Sequence, residues 1–199
     1  MAEFAVSRRF VLRTGAAAVA TAMLAACGKK PSFNSTDVSG SDLGTDLSLT
    51  DSNGQARTLQ DFKGKVLVVF FGFVQCPDVC PTTLAEFVQV KNSLGKDGDR
   101  VQVAFVTVDP ERDTPEILRA YVTQFDPSFL GLRGDADATA RVAKSFKVFY
   151  AKVPGKEPGS YTMDHTAGVY IYDPEGHLRL FARHNAGVDA LASDIRQLL

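Results

Sequence analysis

The densest apolar stretch of the chain is VLVVFFGFV, Val66 to Val74, and its unbroken run of β-branched and aromatic residues predicts a strand covered on both faces. VQVAFVTV, Val101 to Val108, predicts a second central strand. Ahead of both, LSLTDSNGQARTL places an Asn53-Gly54 turn between short alternating runs, the pattern of a hairpin. After Pro81, Leu84, Phe87, Val88 and Leu94 recur at helical spacing, and the proline suits a first helical turn because its missing N–H has no partner there. Thr114-Pro115 supplies a capping residue and a first-turn proline for a second helix, with Ile117, Leu118, Tyr121, Val122 and Phe125 on one face. A third helix is expected from about Asp137 to Phe146. GVYIYD and HLRLFAR then flank the Pro174-Glu175-Gly176 turn as an antiparallel hairpin, and Leu191, Ile195 and Leu198 mark a closing helix. This order predicts an α/β sandwich over residues 45–199, with a mixed central sheet, an N-terminal hairpin and flanking helices.

The N-terminus follows a different pattern. Arg8, Arg9 and Arg13 precede an Ala-rich apolar run, Gly15 to Ala26, that is too short to span a bilayer as a mature helix, so residues 1–26 read as an export signal. Leu24-Ala25-Ala26-Cys27 resembles the bacterial lipobox, which implies a lipid-modified Cys27 as the mature N-terminus; a plain signal peptide with an incidental Cys is the alternative. SRRFVLR fits either a twin-arginine signal or the basic start of a general one. Residues 27–44, rich in Ser, Gly, Lys and Asp, are expected to form a flexible tether. The expected location is the extracytoplasmic, periplasmic face of a bacterial membrane, held by lipid.

Composition narrows the function classes. The chain has 199 residues, 45% hydrophobic and 23% charged, enough for one domain with a core. Its formal charge is −1, and because Arg8, Arg9, Arg13 and Glu3 precede Cys27, a chain starting at Cys27 carries about −3. That balance argues against a nucleic-acid partner. Three cysteines exclude a disulfide-dense miniature scaffold, and lipid on Cys27 leaves one pair, Cys76 and Cys80, in an oxidising compartment.

That pair forms CPDVC between a predicted strand and a predicted helix. A helix N-terminus lowers thiol pKa, and two thiolates on so short a loop can attack a disulfide or converge on a soft ion such as Cu(I). A structural disulfide is the plain alternative. His165, at the start of an apolar run, taken alone fits a core or surface residue better than a ligand. Asp164 falls on the opposite strand face and reads as a capping or supporting group. Asp78 reads as a turn residue, His177 and His184 as surface residues. DPERDTPE, Asp109 to Glu116, fits a capped helix start with solvated charges better than a partner-docking or supporting loop beside the site.

FFGFVQCPDVCP, VDPERDTPE and DHTAGVYIYDPEGHLRLF, in this order and spacing, resemble the SCO/SenC family of cytochrome c oxidase assembly proteins over about Thr45 to Leu199. The resemblance implies a thioredoxin-like fold and copper bound by Cys76, Cys80 and His165. It also implies a part in building the copper A centre, with the copper-bearing oxidase subunit or another copper client as partner. Val74 and Gln75 depart from the family pattern, which has Thr and often His before the first Cys, and the lipid expected on Cys27 would stand in place of the family's usual transmembrane anchor. The leading rival is a thiol-disulfide reductase working through the same redox pair, Cys76 and Cys80, for which His165 is not needed. A peroxidase fits less well, since Phe73 stands where peroxiredoxins place Thr and the chain has no Trp.

Overall fold

The structure, a computed structural model, describes residues 32–199. The expected export signal and Cys27 lie outside the described residues. In chain order the elements are β1 (Thr36–Asp37), β2 (Leu49–Asp51), β3 (Ala56–Arg57), β4 (Val66–Gly72), α1 (Val79–Leu94), β5 (Val101–Thr107) and α2 (Pro115–Thr123). They continue with β6 (Leu130–Arg133), α3 (Ala136–Ser145), β7 (Tyr150–Pro154), β8 (Tyr161–His165), β9 (Gly168–Tyr172), β10 (Leu178–Arg183) and α4 (Val188–Arg196). Eight strands form one sheet in the order β1-β10-β9-β4-β5-β6-β2-β3, and β7 and β8 form a separate hairpin. β4, β5 and β6 run parallel while β9 joins β4 antiparallel, so the sheet is mixed as expected.

β4 shows why an unbroken apolar run becomes a central strand. Val66, Val68 and Phe70 face one way, against Leu84, Phe87 and Val90 of α1, Leu118 and Val122 of α2, and Leu191 and Ile195 of α4. Leu67, Val69 and Phe71 face the other, against Val142, Phe146, Tyr170 and Tyr172. Alternate side chains of a strand leave opposite faces, so burying both requires apolar residues at every position. Each fully buried side chain of this size contributes about 1.5–3 kcal/mol.

The second helix starts at its predicted cap, and the third starts at Ala136, one residue ahead of the expected Asp137, behind an Asp135 cap that the sequence reading did not single out. Thr114 accepts from the Ile117 amide at 3.3 Å with Pro115 in the first turn, and Asp135 accepts from the Ala138 amide at 2.8 Å. β4 is shorter than predicted: it ends at Gly72, and Phe73 stays buried in the turn closed by the Cys76 N–H on the Phe73 carbonyl at 3.2 Å.

The expected flexible tether over 27–44 needs correction. From Asn34 to Gly44 the chain is bound to the domain: β1 pairs with β10, and the Asn34 and Ser35 amides donate to the buried Asp194 carboxylate at 2.7 and 2.8 Å. The Tyr172 hydroxyl donates to the Gly44 carbonyl at 2.6 Å. Gly44, at φ +61, lies so close that a Cβ there would sit 2.1 Å from that hydroxyl, so polar composition in this stretch reflects edge pairing and tight approach.

Candidate metal centre

Parallel β4 and β5 end at the same edge of the sheet, which places the loop after β4, carrying Cys76, beside the loop after β5, carrying Asp109 to Asp113. α1 starts at Val79, so Cys80 and Pro81 occupy its first turn. The Cys80 amide, one of those no helical carbonyl can reach, points at Cys76 Sγ at 3.4 Å. Cys80 itself is fully buried against the sheet. Gly72 makes room for it, since a Cβ there would lie 2.6 Å from Cys80 Sγ.

His165 ends β8; the apolar strand it was expected to begin starts three residues later, at Gly168. Its Nε2 lies 3.7 Å from Cys80 Sγ, while Nδ1 donates to the Thr166 carbonyl at 3.1 Å. That bond fixes the proton on Nδ1 and leaves the Nε2 lone pair facing the sulfurs, the arrangement a metal-binding imidazole needs. Phe70 and Phe73 meet the imidazole edge-on, with centroids 6.3 and 5.9 Å away. Ligand atoms of Cys76, Cys80 and His165 all lie within 4.8 Å of one another, and both thiols are free.

The two thiols are unequal. The hydrogen bond from the Cys80 thiol, with help from the Asp78 and Cys80 amides, holds the Cys76 pKa down to about 5 in spite of partial burial. Sharing that bond with Cys76 pushes the Cys80 thiol up, and its own burial adds to the rise. Cys76 is therefore the standing thiolate and Cys80 the proton holder.

The loop from Asp109 to Asp113 ties the two halves of the centre together. Buried Asp113 accepts from the Val74 amide at 3.1 Å and the Thr107 hydroxyl at 2.5 Å, and burial raises its pKa. Arg112 pairs with buried Asp109 and donates to Gln75 Oε1 at 3.1 Å on the cysteine loop. On the histidine side Arg112 donates to the Tyr161 carbonyl at 2.8 Å and stacks 3.8 Å over the Tyr161 ring, while the Tyr161 hydroxyl donates to Asp109 at 2.9 Å. The expected capped helix start is present at Thr114, but the expected solvated charges are not. Asp109 and Asp113 are each 1% exposed, and the segment is the supporting loop beside the site, the less favoured of the two readings. What the sequence did not show is that Arg112 joins the cysteine side to the histidine side, although two parallel strands with adjacent C-terminal ends place the loop beside the site.

The remaining candidates stay apart from the centre. Asp164 is exposed and no hydrogen bond of its carboxylate occurs among the described residues, so its expected capping or supporting role is not realised. Asp78 sits at the N-cap of α1 and accepts from the Thr82 hydroxyl at 3.3 Å, as a turn residue would. His177 is exposed beside Asp173. His184, expected at the surface, is half-buried against the Thr83 hydroxyl at 3.1 Å.

Comparison with known proteins agrees with this geometry. The SCO1/SenC family profile matches residues 35–199. The mitochondrial SCO2 homologue of Mus musculus is 36% identical over 154 residues, 76% of this chain and 60% of that protein, and a SCO2-like protein of Rickettsia felis is 38% identical over 135 residues, 67% of this chain and 66% of that protein. The chain thus spans about three fifths to two thirds of the length of these relatives. Among solved structures, Bradyrhizobium japonicum ScoI with copper bound aligns at TM-score 0.72 and 43% identity, covering 79% of this chain and 99% of that one. Apo Sco1 of Thermus thermophilus aligns at 0.75 and 39%, covering 86% and 100%, and yeast Sco1 with copper bound at 0.71 and 34%, covering 78% and 87%. The fold is the thioredoxin-like one of these structures, and the chain belongs to the SCO1/SenC family.

Proposed function

We propose that this protein binds one copper ion through Cys76, Cys80 and His165 and passes it to the copper A centre of cytochrome c oxidase during assembly. The observation that carries this reading is the convergence of two sulfurs and one correctly tautomerised imidazole within 4.8 Å. Two thiolates and an imidazole suit copper, whereas a structural zinc site closes with four donors. The relatives whose structures hold copper, at 43% and 34% identity, support the same ion. Copper here is cargo. The Cys76 thiolate meets the incoming ion first, because it is partly exposed and already ionised, and binding by Cys80 releases that residue's proton. Transfer proceeds outward past Cys76, since Cys80 has no open side. A thiol-disulfide reductase would use the same pair, but nothing in dithiol exchange calls for an imidazole aimed at the buried thiol.

The test is rescue of oxidase activity in a deletion strain. His165→Ala should fail to restore the copper A spectrum; full rescue by a variant shown to bind copper poorly would replace this reading with the reductase one. The same proposal holds the protein to the periplasmic face of a bacterial membrane through lipid on Cys27, motivated by Leu24-Ala25-Ala26-Cys27. No helix of the described residues is long and apolar enough to cross a membrane. Mass spectrometry of the membrane fraction should find a lipid-modified Cys27 at the N-terminus, and a soluble product cut elsewhere would remove the anchor.

A further inference from the structure

Tyr121 of α2 is oriented against the usual rule for a half-buried tyrosine, which buries its ring and leaves the hydroxyl in water. Here it is the hydroxyl oxygen that is buried, and it has no hydrogen-bond partner among the described residues. Such a hydroxyl is costly, and a phenylalanine would fill the ring's place without that cost.

The surroundings show what the hydroxyl faces. The Tyr121 ring packs on Phe105 and Phe125, with centroids 5.5 and 5.4 Å away, and neither ring offers an acceptor. Phe105 in turn lies beside Cys80. The Cβ that Gly72 lacks would fall 2.6 Å from Cys80 Sγ and 2.7 Å from the Phe105 ring, so sulfur and ring meet in that one space. Tyr121 is thus one ring removed from the buried thiol. Burial pushes its phenol up, and the charges that add to the rise are those of Cys80, Cys76 and Asp113, in that order. The phenol therefore keeps its proton and remains a donor. Asp113 already takes the Val74 amide and the Thr107 hydroxyl, and Cys76 takes the Cys80 amide and thiol. What remains is the Cys80 sulfur, a weak acceptor as a thiol and a strong one as a thiolate.

We propose that Tyr121 is a positioning residue of the copper centre, its hydroxyl donating to the Cys80 sulfur once that sulfur holds copper as a thiolate. The proposal rests on the copper reading above and brings α2, which supplies no ligand, into the site. A donor unpaired in one state and paired in the other shifts the balance toward the second, so the hydroxyl favours copper loading.

Tyr121→Phe removes the hydroxyl and keeps the ring, and two readouts should part. Cu(I) affinity, measured against a competing chelator, should fall about tenfold, the lower end of what loss of a supporting residue costs. Urea unfolding of the metal-free variant should show stability equal to or above the parent's, because the hydroxyl removed had no partner there. A hydroxyl that served the fold alone would do the reverse. Should the variant not fold, ¹³Cζ-labelled tyrosine in the parent decides, with the Tyr121 signal expected to move downfield on loading with Cu(I). Unchanged Cu(I) affinity in Tyr121→Phe, a loss of stability in the metal-free variant, or a Tyr121 signal indifferent to Cu(I) would overturn the inference and leave the copper reading standing. Failure of the parent itself to bind Cu(I) would overturn both.

Discussion

Closing Cys76 and Cys80 into a disulfide should abolish copper uptake, and Cys80→Ser should lower Cu(I) affinity by well over the about 10–100-fold that loss of a supporting residue costs. Only thiolates offer the soft donors that hold Cu(I), and oxidation removes both at once. The geometry makes Cys80 the more telling substitution. It is the thiol that faces His165 at 3.7 Å, and it packs where a Cβ on Gly72 would lie 2.6 Å from its sulfur. Cys76→Ser should bind as poorly, while also removing the readily ionised thiol, so iodoacetamide near pH 6 would find no fast-reacting group. Titration against a competing Cu(I) chelator reads both effects. Equal uptake by oxidised and reduced protein would show that the metal sits elsewhere.

Arg112→Ala should be the most damaging change away from the ligands. It leaves the Asp109 carboxylate, 1% exposed, without its cation, and breaking a buried pair from one side costs about 3–5 kcal/mol. The surviving bond from the Tyr161 hydroxyl places the loss toward the lower end. The same substitution frees Gln75 on the cysteine side and the Tyr161 carbonyl on the histidine side, so Cu(I) affinity should fall by about 10–100-fold with all three donors intact. Arg112→Lys should recover only part of either effect, because an ammonium cannot reproduce a planar fork stacked 3.8 Å over Tyr161. Urea unfolding and the chelator titration measure the two arms. A variant that loses stability but binds copper as the parent does would show that the clasp holds the fold alone.

The parts of the molecule legible in its sequence are those whose environment is uniform along the chain. β4 and β5 are buried on both faces, so nearly every residue is apolar, and α2 carries its own cap at Thr114. What escaped is decided by contacts distant in sequence. β1 is a two-residue edge strand of Thr36 and Asp37 held by β10 and Asp194, and polar residues at an edge look like a linker. β6, LGLR, is too short and glycine-bearing to show a period. The β7–β8 hairpin, half exposed, lacks an apolar face of its own, which is why His165 was placed at the start of the following strand.

The site divides in the same way. The cysteines announce themselves by spacing, and His165 became a ligand candidate only through the family resemblance. Arg112, Asp113 and Tyr161 carried no individual signal, because each acts by touching a residue 37 to 52 positions away.

Binding of Cu(I) by the parent and by His165→Ala, in competition with one chelator, tests the three-donor centre most directly. The account predicts one ion per chain for the parent and a substantially weaker site in the variant, both thiols and their loop being untouched while the imidazole whose Nε2 faces them is gone. Identical affinities would contradict it and leave the two cysteines as the whole site.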